Sequence, residues 1–207
     1  ICVQGFIGWY MVSSGLVDRV DVSHYRLSLH LVLAFIIFSL IYWNYLSLKN
    51  INFSFSKINN QIPIIFMLII YVQIFIGALV SGMDAGKIYN SWPYMGTSFF
   101  PDDNSLKNLF SLSAFNDPSL VQFIHRNLAY FIFLFYLFIF IKIYKNRLSG
   151  LFSTINIIGF LLILQIFLGI LTLLNGAQII IASMHQMSSI LLISSSIYFL
   201  FLNNNSS

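Results

Sequence analysis

Histidine is the residue type with the most chemistry to offer in this chain, and there are four: His24, His30, His125 and His185. Three of them, His30, His125 and His185, fall within or at the edge of long apolar stretches, where ionisable groups are rare and mark function. The stretches that hold them cover about residues 27–46, 119–141 and 178–202. Each histidine sits a few residues into its stretch, roughly 5 to 12 Å below the start at the rise of a helix. Three imidazoles at one level, on helices running the same way, can face partners across a bundle as paired axial ligands of a haem iron do. His185, in Ser183-Met184-His185-Gln186, would taken alone serve equally well as a hydrogen-bond partner for a neighbouring helix. His125 is followed directly by Arg126, and an arginine in that setting costs about 2.5 to 3.5 kcal/mol at mid-helix, less near the interface. A buried anion offsets that cost. Haem propionates are such anions, and a guanidinium fork matches a carboxylate in two-point geometry. His24, six residues before His30, is rotated about 240° from it on a helix and reads as an interfacial residue.

The elements that carry these residues follow from composition. The chain has 207 residues, 58% of them hydrophobic and 8% charged, against a usual charged share of about a quarter. Its mean hydropathy is +0.86. These values exclude an ordinary soluble domain. The single cysteine, Cys2, excludes a disulfide framework and a Cys/His zinc cluster. The net charge of +4 is scattered between apolar blocks and forms no patch for nucleic acid. Five blocks are long enough to span a bilayer, about 27–46, 62–82, 119–141, 152–174 and 178–202. A partial block precedes them, ends at Val12 before Ser13, Ser14 and Gly15, and reads as the outer half of a truncated membrane helix. Continuous apolar runs such as 131–141 lack the alternation of barrel strands, so the spans are helices.

Direction comes from the basic residues. The connections with Lys49 and Lys57, and with Lys142, Lys145 and Arg147, contain no acid and are placed on the inner side. All six acids, Asp18, Asp21, Asp84, Asp102, Asp103 and Asp117, fall on the outer side with Arg19, Arg26, Lys87 and Lys107. There is no glutamate, and no carboxylate lies inside an apolar block.

A repeat is also visible. Gln4-x-Phe6-x-Gly8 with Gly15 seven residues on returns as Gln165-x-Phe167-x-Gly169 with Gly176, and more briefly as Gln73-x-Phe75-x-Gly77. Duplication predicts an all-α, polytopic membrane helical bundle of two pseudo-symmetric four-helix halves, the first incomplete. Residues 1–46 would be the remnant of the amino-terminal half and 62–202 the complete carboxy-terminal half. The outer connection from Ser81 to Ser119 is far longer than most. It carries Met83-Asp84-Ala85-Gly86, Tyr89-Asn90-Ser91-Trp92-Pro93 and Phe99-Phe100-Pro101. Its aromatics suit the headgroup level, and its length suits a cap over a cofactor.

Several segments resemble the haem A synthase family in its proteobacterial and mitochondrial branch. They are Gly5-Phe6-Ile7-Gly8-Trp9-Tyr10-Met11-Val12-x-Ser14-Gly15-Leu16, Ser23-His24-Tyr25-Arg26-Leu27-Ser28-Leu29-His30-Leu31, Met83-Asp84-Ala85-Gly86, Tyr89-Asn90-Ser91-Trp92-Pro93-Tyr94-Met95-Gly96, Val121-Gln122-Phe123-Ile124-His125-Arg126 and His185-Gln186. The resemblance implies an eight-helix membrane enzyme of two four-helix halves, each holding a haem between two histidines. It implies oxidation of a methyl group of haem O to the formyl group of haem A, for insertion into cytochrome oxidase. On this chain it implies that His125 and His185 ligate a resident haem b, with Arg126 at the cofactor, and that His30 is one of two histidines at the site of the haem O substrate. The other histidine, and the glutamate before it, match nothing here and would lie on a missing helix, so the catalytic residue is unknown. The implied setting is the lipid bilayer of a bacterial cytoplasmic or a mitochondrial inner membrane. Haem O synthase, an electron acceptor and a second copy of the chain are the candidate partners, and nucleic acid is not one.

Two other readings compete on the residues. A b-type cytochrome subunit that only relays electrons would use the three histidines equally well, but has no need of a long aromatic cap. A transporter with a histidine proton path predicts polar residues through the whole membrane thickness, whereas the inner halves here are apolar.

Overall fold

Why the chain forms few, long helices is plain from its apolar runs: in hydrocarbon each backbone N–H must find its acceptor within the same segment. The computed structural model describes residues 1–15, 21–49 and 56–205. Leu16, Asp18 and Arg19, used above, lie outside these. The helices are α1 (Cys2–Val12), α2 (His24–Ser47), α3 (Gln61–Gly82), the short α4 (Leu106–Leu109), α5 (Pro118–Lys145), α6 (Phe152–Leu174) and α7 (Ile179–Asn204). Among the described residues five helices are long and apolar enough to cross a membrane, namely α2, α3, α5, α6 with the turn before it, and α7. The chain is an integral multi-pass membrane protein, all-α in its spans.

Two helices outrun the apolar blocks. α2 starts at His24 rather than near residue 27, so His24 is helical. α5 continues through Lys145 because Lys142 and Lys145 stand in its last turn, where cations meet the negative end of the helix dipole. At the other end of α5, Asp117 caps the helix by accepting the Leu120 N–H at 3.0 Å, and Pro118 occupies the first turn, where its missing N–H is no loss. α6 stops at a tight corner with Gly176 at φ 63°, and the four residues 175–178 return the chain as α7, its antiparallel neighbour.

Packing among α3, α5, α6 and α7 defines a four-helix unit. α5 is flanked by α3 and α6, and so is α7, which sets α5 and α7 diagonally across the bundle. α2 packs on the outside of this unit against α3 and α7, and α1 packs on α2. The inner half is an apolar core of Phe66, Ile70, Ile139, Ile143, Ile155, Ile158, Ile193 and Ile197, with Phe199 beside them. Asn203 closes its inner end: it accepts the Ile58 N–H at 3.0 Å and donates to the Ile58 carbonyl at 3.1 Å. The outer half differs. No residue is fully buried from 123 to 131 on α5, from 169 to 174 on α6, or from 179 to 187 on α7.

Candidate functional site

His30, His125 and His185 lie six, seven and six residues past the first residues of α2, α5 and α7, about 9 to 10.5 Å along each axis. Each imidazole rests on a glycine of the preceding long helix of its pair. A Cβ on Gly8 would stand 3.1 Å from His30 Cε1, one on Gly77 3.1 Å from His125 Cε1, and one on Gly169 3.2 Å from His185 Cε1. Any side chain there would displace the ring. One turn before each glycine stands a glutamine whose Nε2 donates to the main-chain carbonyl of the same histidine: Gln4 to His30 at 3.1 Å, Gln73 to His125 at 3.1 Å, and Gln165 to His185 at 3.2 Å. Gln4 Nε2 is also 3.3 Å from both ring nitrogens of His30, and Gln73 Nε2 is 3.3 Å from Nε2 of His125. Gln165 instead donates to Ser188 Oγ at 2.8 Å, and that hydroxyl donates to the His185 carbonyl at 3.0 Å. The Gln-x-Phe-x-Gly repeat is therefore a histidine cradle, a role its sequence alone did not disclose.

His125 and His185 belong to the diagonal helices α5 and α7. Both carry a buried Nδ1 without a hydrogen-bond partner. Among the described residues no three His, Cys, Asp or Glu side chains converge to hold a metal ion. What the bundle offers is one imidazole from each of two opposed helices, at the level where full burial stops. This suits a flat group with a metal at its centre.

Arg126 points along the next face of α5 and takes part in fastening the outer connection. Its Nη2 donates to the Tyr89 carbonyl at 3.2 Å and its Nη1 to the Tyr94 carbonyl at 3.4 Å, while its Nε is buried with no partner. Gln122, one turn earlier, donates to the same Tyr89 carbonyl at 3.1 Å, and Tyr130, one turn later, accepts from the Trp92 indole at 2.9 Å. Gln122, Arg126 and Tyr130 stand four apart, so one stripe of α5 holds residues 89–94. Across the bundle, Asn90 donates to the Leu173 carbonyl of α6 at 2.9 Å. The connection thus closes the outer end from α5 to α6. Sequence reading noted Asn90 and Gln122 only within longer motifs, without a task, and missed Tyr130; for Gln122 and Tyr130 the i, i+4, i+8 spacing about Arg126 in an apolar helix was the available signal.

Within this cap, Asp102 accepts the Thr97 N–H at 2.7 Å, and that bond holds its carboxyl below the usual range. Burial pushes the Asp103 carboxyl up, but hydrogen bonds from Ser119 at 2.6 Å, Tyr89 at 2.9 Å and Asn104 outweigh it and leave it lowered. Burial, and next the Asp103 contact, push the Tyr89 hydroxyl up. His24 stands apart from these groups. It packs where α2 meets Gly82 of α3, against the Tyr25 ring at 4.3 Å, with Nε2 buried and without a partner.

Fold and site together define a polytopic helical membrane protein that presents single, cradled imidazoles at one depth beneath a tethered outer cap. The chain belongs to the cytochrome oxidase assembly protein family, whose sequence pattern matches residues 1–197. It is 47% identical over 210 aligned positions to the haem A synthase of Pelagibacter ubique strain HTCC1062, which covers 100% of this chain and 60% of that protein. It is 44% identical over 200 positions to the haem A synthase of Rickettsia bellii strain RML369-C (93% of this chain, 59% of the relative). With that of Rickettsia felis the identity is 42% over 198 positions (93% and 58%). The chain spans about three fifths of the length of these relatives.

Proposed function

We infer that the full-length protein is a haem A synthase, an oxidoreductase that converts a methyl group of haem O to the formyl group of haem A. His125 and His185 would hold a resident haem b, and His30 would be one of the histidines at the site where haem O reacts. The observation that carries this reading is the presentation of His125 and His185 from diagonal helices, each ring seated on a glycine that any Cβ would close. The residues fit such a group: two imidazoles with unpartnered buried nitrogens, a guanidinium whose partners here are neutral carbonyls, and an outer half without full burial. When bound, the haem would supply the one-electron chemistry that aliphatic helices lack.

The chain's own residues hold the imidazoles in place and fasten residues 89–94 across the outer end, and Arg126 is the cation that would pair with a propionate. The catalytic carboxylate is assigned to no residue of this sequence, which has no glutamate. We read α1 and α2 (within 1–46) as answering α6 and α7 of a complete haem-binding half at 62–202, because Gln4, Gly8 and His30 repeat Gln165, Gly169 and His185. The setting is a bacterial cytoplasmic membrane, with haem O synthase, an electron acceptor and a second copy of the chain as partners. The apolar inner core opposes a transmembrane proton path. In the full-length protein, His125→Ala and His185→Ala are expected to abolish the resident haem while membrane insertion persists. Normal haem content in both variants refutes the assignment.

A further inference from the structure

Gln4, Gln73 and Gln165 are carboxamides inside the apolar α1 and the spans α3 and α6, and each faces a histidine of the next long helix. A carboxamide in hydrocarbon is costly unless it is hydrogen-bonded. A role in helix pairing alone would let each glutamine and glycine meet any neighbour. Here all three pairs meet a histidine: Gln4 and Gly8 meet His30, Gln73 and Gly77 meet His125, and Gln165 and Gly169 meet His185. The spacing from glutamine to glycine is one helical turn each time, and the atom facing the glycine is Cε1 each time. Gln73 Oε1 and Gln4 Oε1 are buried without partners, as is His125 Nδ1.

We propose that Gln73 and Gln165, each with the glycine four residues on, are positioning residues that orient the two haem-ligating histidines. The amide pins the histidine's main chain to the neighbouring helix, and the missing Cβ lets the ring lie against that helix in one orientation. A histidine that gives one ring nitrogen to iron carries N–H on the other, and the partner of that N–H sets ring orientation and basicity. At His125 the Gln73 Nε2 stands 3.3 Å from the ring Nε2 while its Oε1 is buried without a partner, so a half-turn of the carboxamide brings an acceptor to the ring N–H. At His185 the task is shared with Ser188, which ties the glutamine to the same turn. This inference rests on the haem reading above and goes beyond it in naming what aims the ligands.

The test uses Gln73→Leu and Gln165→Leu, each made separately in the full-length protein and purified from membranes. Haem affinity, the low-spin ferric electron paramagnetic resonance signal and the reduction potential are read. Each change is expected to weaken haem binding about 10- to 100-fold, the usual effect of losing the partner of a ligating histidine, and to shift or broaden the low-spin signal. Gln73→Glu, which offers the ring an acceptor but cannot donate to the His125 carbonyl, is expected to recover only part of the haem content lost in Gln73→Leu while moving the potential negative, since a carboxylate acceptor raises the ring's basicity. Unchanged affinity and spectrum in both leucine variants overturn the proposal. If a leucine variant fails to accumulate, Gly77→Ala decides: its Cβ at 3.1 Å from the ring is expected to shift the low-spin signal, and an unshifted signal overturns the proposal. Gly5→Ala, with nothing within 4 Å of its Cβ, serves as control. His125→Ala and His185→Ala separate the two failures. If they keep full haem content, the haem site itself is refuted; if they lose it while the glutamine variants match wild type, only the positioning role falls.

Discussion

Replacing Arg126 by leucine should have opposite consequences with and without a bound anion, and the structure gives the sizes. The guanidinium makes two hydrogen bonds to neutral carbonyls, at 3.2 and 3.4 Å, the long end of the range. Bonds to a charged donor contribute about 1.5 to 3 kcal/mol each, and these long ones fall toward or below the lower figure. Against them stands the buried, unpartnered Nε, which costs about 1 to 3 kcal/mol. The Tyr89 carbonyl keeps its bond from Gln122 when the arginine is removed. In the haem-free protein, then, gain and loss nearly cancel, and Arg126→Leu should leave thermal stability almost unchanged. With a propionate present the same change removes a charge-assisted fork. Part of that is screened because Arg126 is not fully buried, so about 1.4 to 2.8 kcal/mol is expected, or tenfold to a hundredfold in haem affinity. Haem titration of detergent-solubilised protein, followed by its absorbance, alongside thermal unfolding with and without haem, measures both quantities. Arg126→Lys, which keeps charge but not the fork, should fall between. Equal destabilisation of both forms, with unchanged haem affinity, would show that the arginine serves the loop alone.

Two further outcomes follow from packing and from charge. On α6, Gly159 faces Tyr136 of α5: a Cβ there would collide first with the tyrosine hydroxyl, the atom that Tyr136→Phe removes, and then with Cζ. Gly159→Ala should therefore cost about 1 to 3 kcal/mol, seen as a lower unfolding temperature, and Tyr136→Phe in the same chain should relieve much of it; no loss would mean the helices separate freely at that level. For the cap, Asp102 and Asp103 are held below the usual carboxylate range, so their contribution is present above that range and disappears as pH falls through the lowered values. Hydrogen-exchange protection of residues 94–105, taken relative to the intrinsic rate at each pH, should fall on acidification below the ordinary carboxylate range, and Asp103→Asn should remove much of that pH dependence. A flat profile in wild type would deny these carboxylates a part in fastening the cap.

Much of the architecture was legible because a bilayer permits so little else. Each apolar run of about twenty residues must be a helix, and the spans at 62–82 and 152–174 match α3 and α6 within a residue of either end. Helix ends were less legible where polar residues belong to the helix. His24 and Lys145 extend α2 and α5 beyond their apolar blocks, since a helix terminus reaches into the headgroup layer. The histidines stood out as ionisable groups in apolar surroundings, and Arg126 stood out beside one of them. The glutamines and glycines were visible as a repeat, but not as a cradle, because what a glycine admits is decided by another helix.

Composition and hydropathy alone determined the membrane setting, the number and length of the spans, the common depth of His30, His125 and His185, and the presence of a long outer connection. These are properties of a segment and its solvent. Tertiary structure decided that α5 and α7 oppose each other diagonally, that each imidazole meets a particular glutamine and glycine, and that Gln122, Arg126 and Tyr130 hold residues 89–94. Those pairings join residues from 16 (Gly169 with His185) to 52 (Gln73 with His125) positions apart. Which faces meet at such separations depends on how whole helices rotate and pack to bury their sides, and no local pattern carries that information.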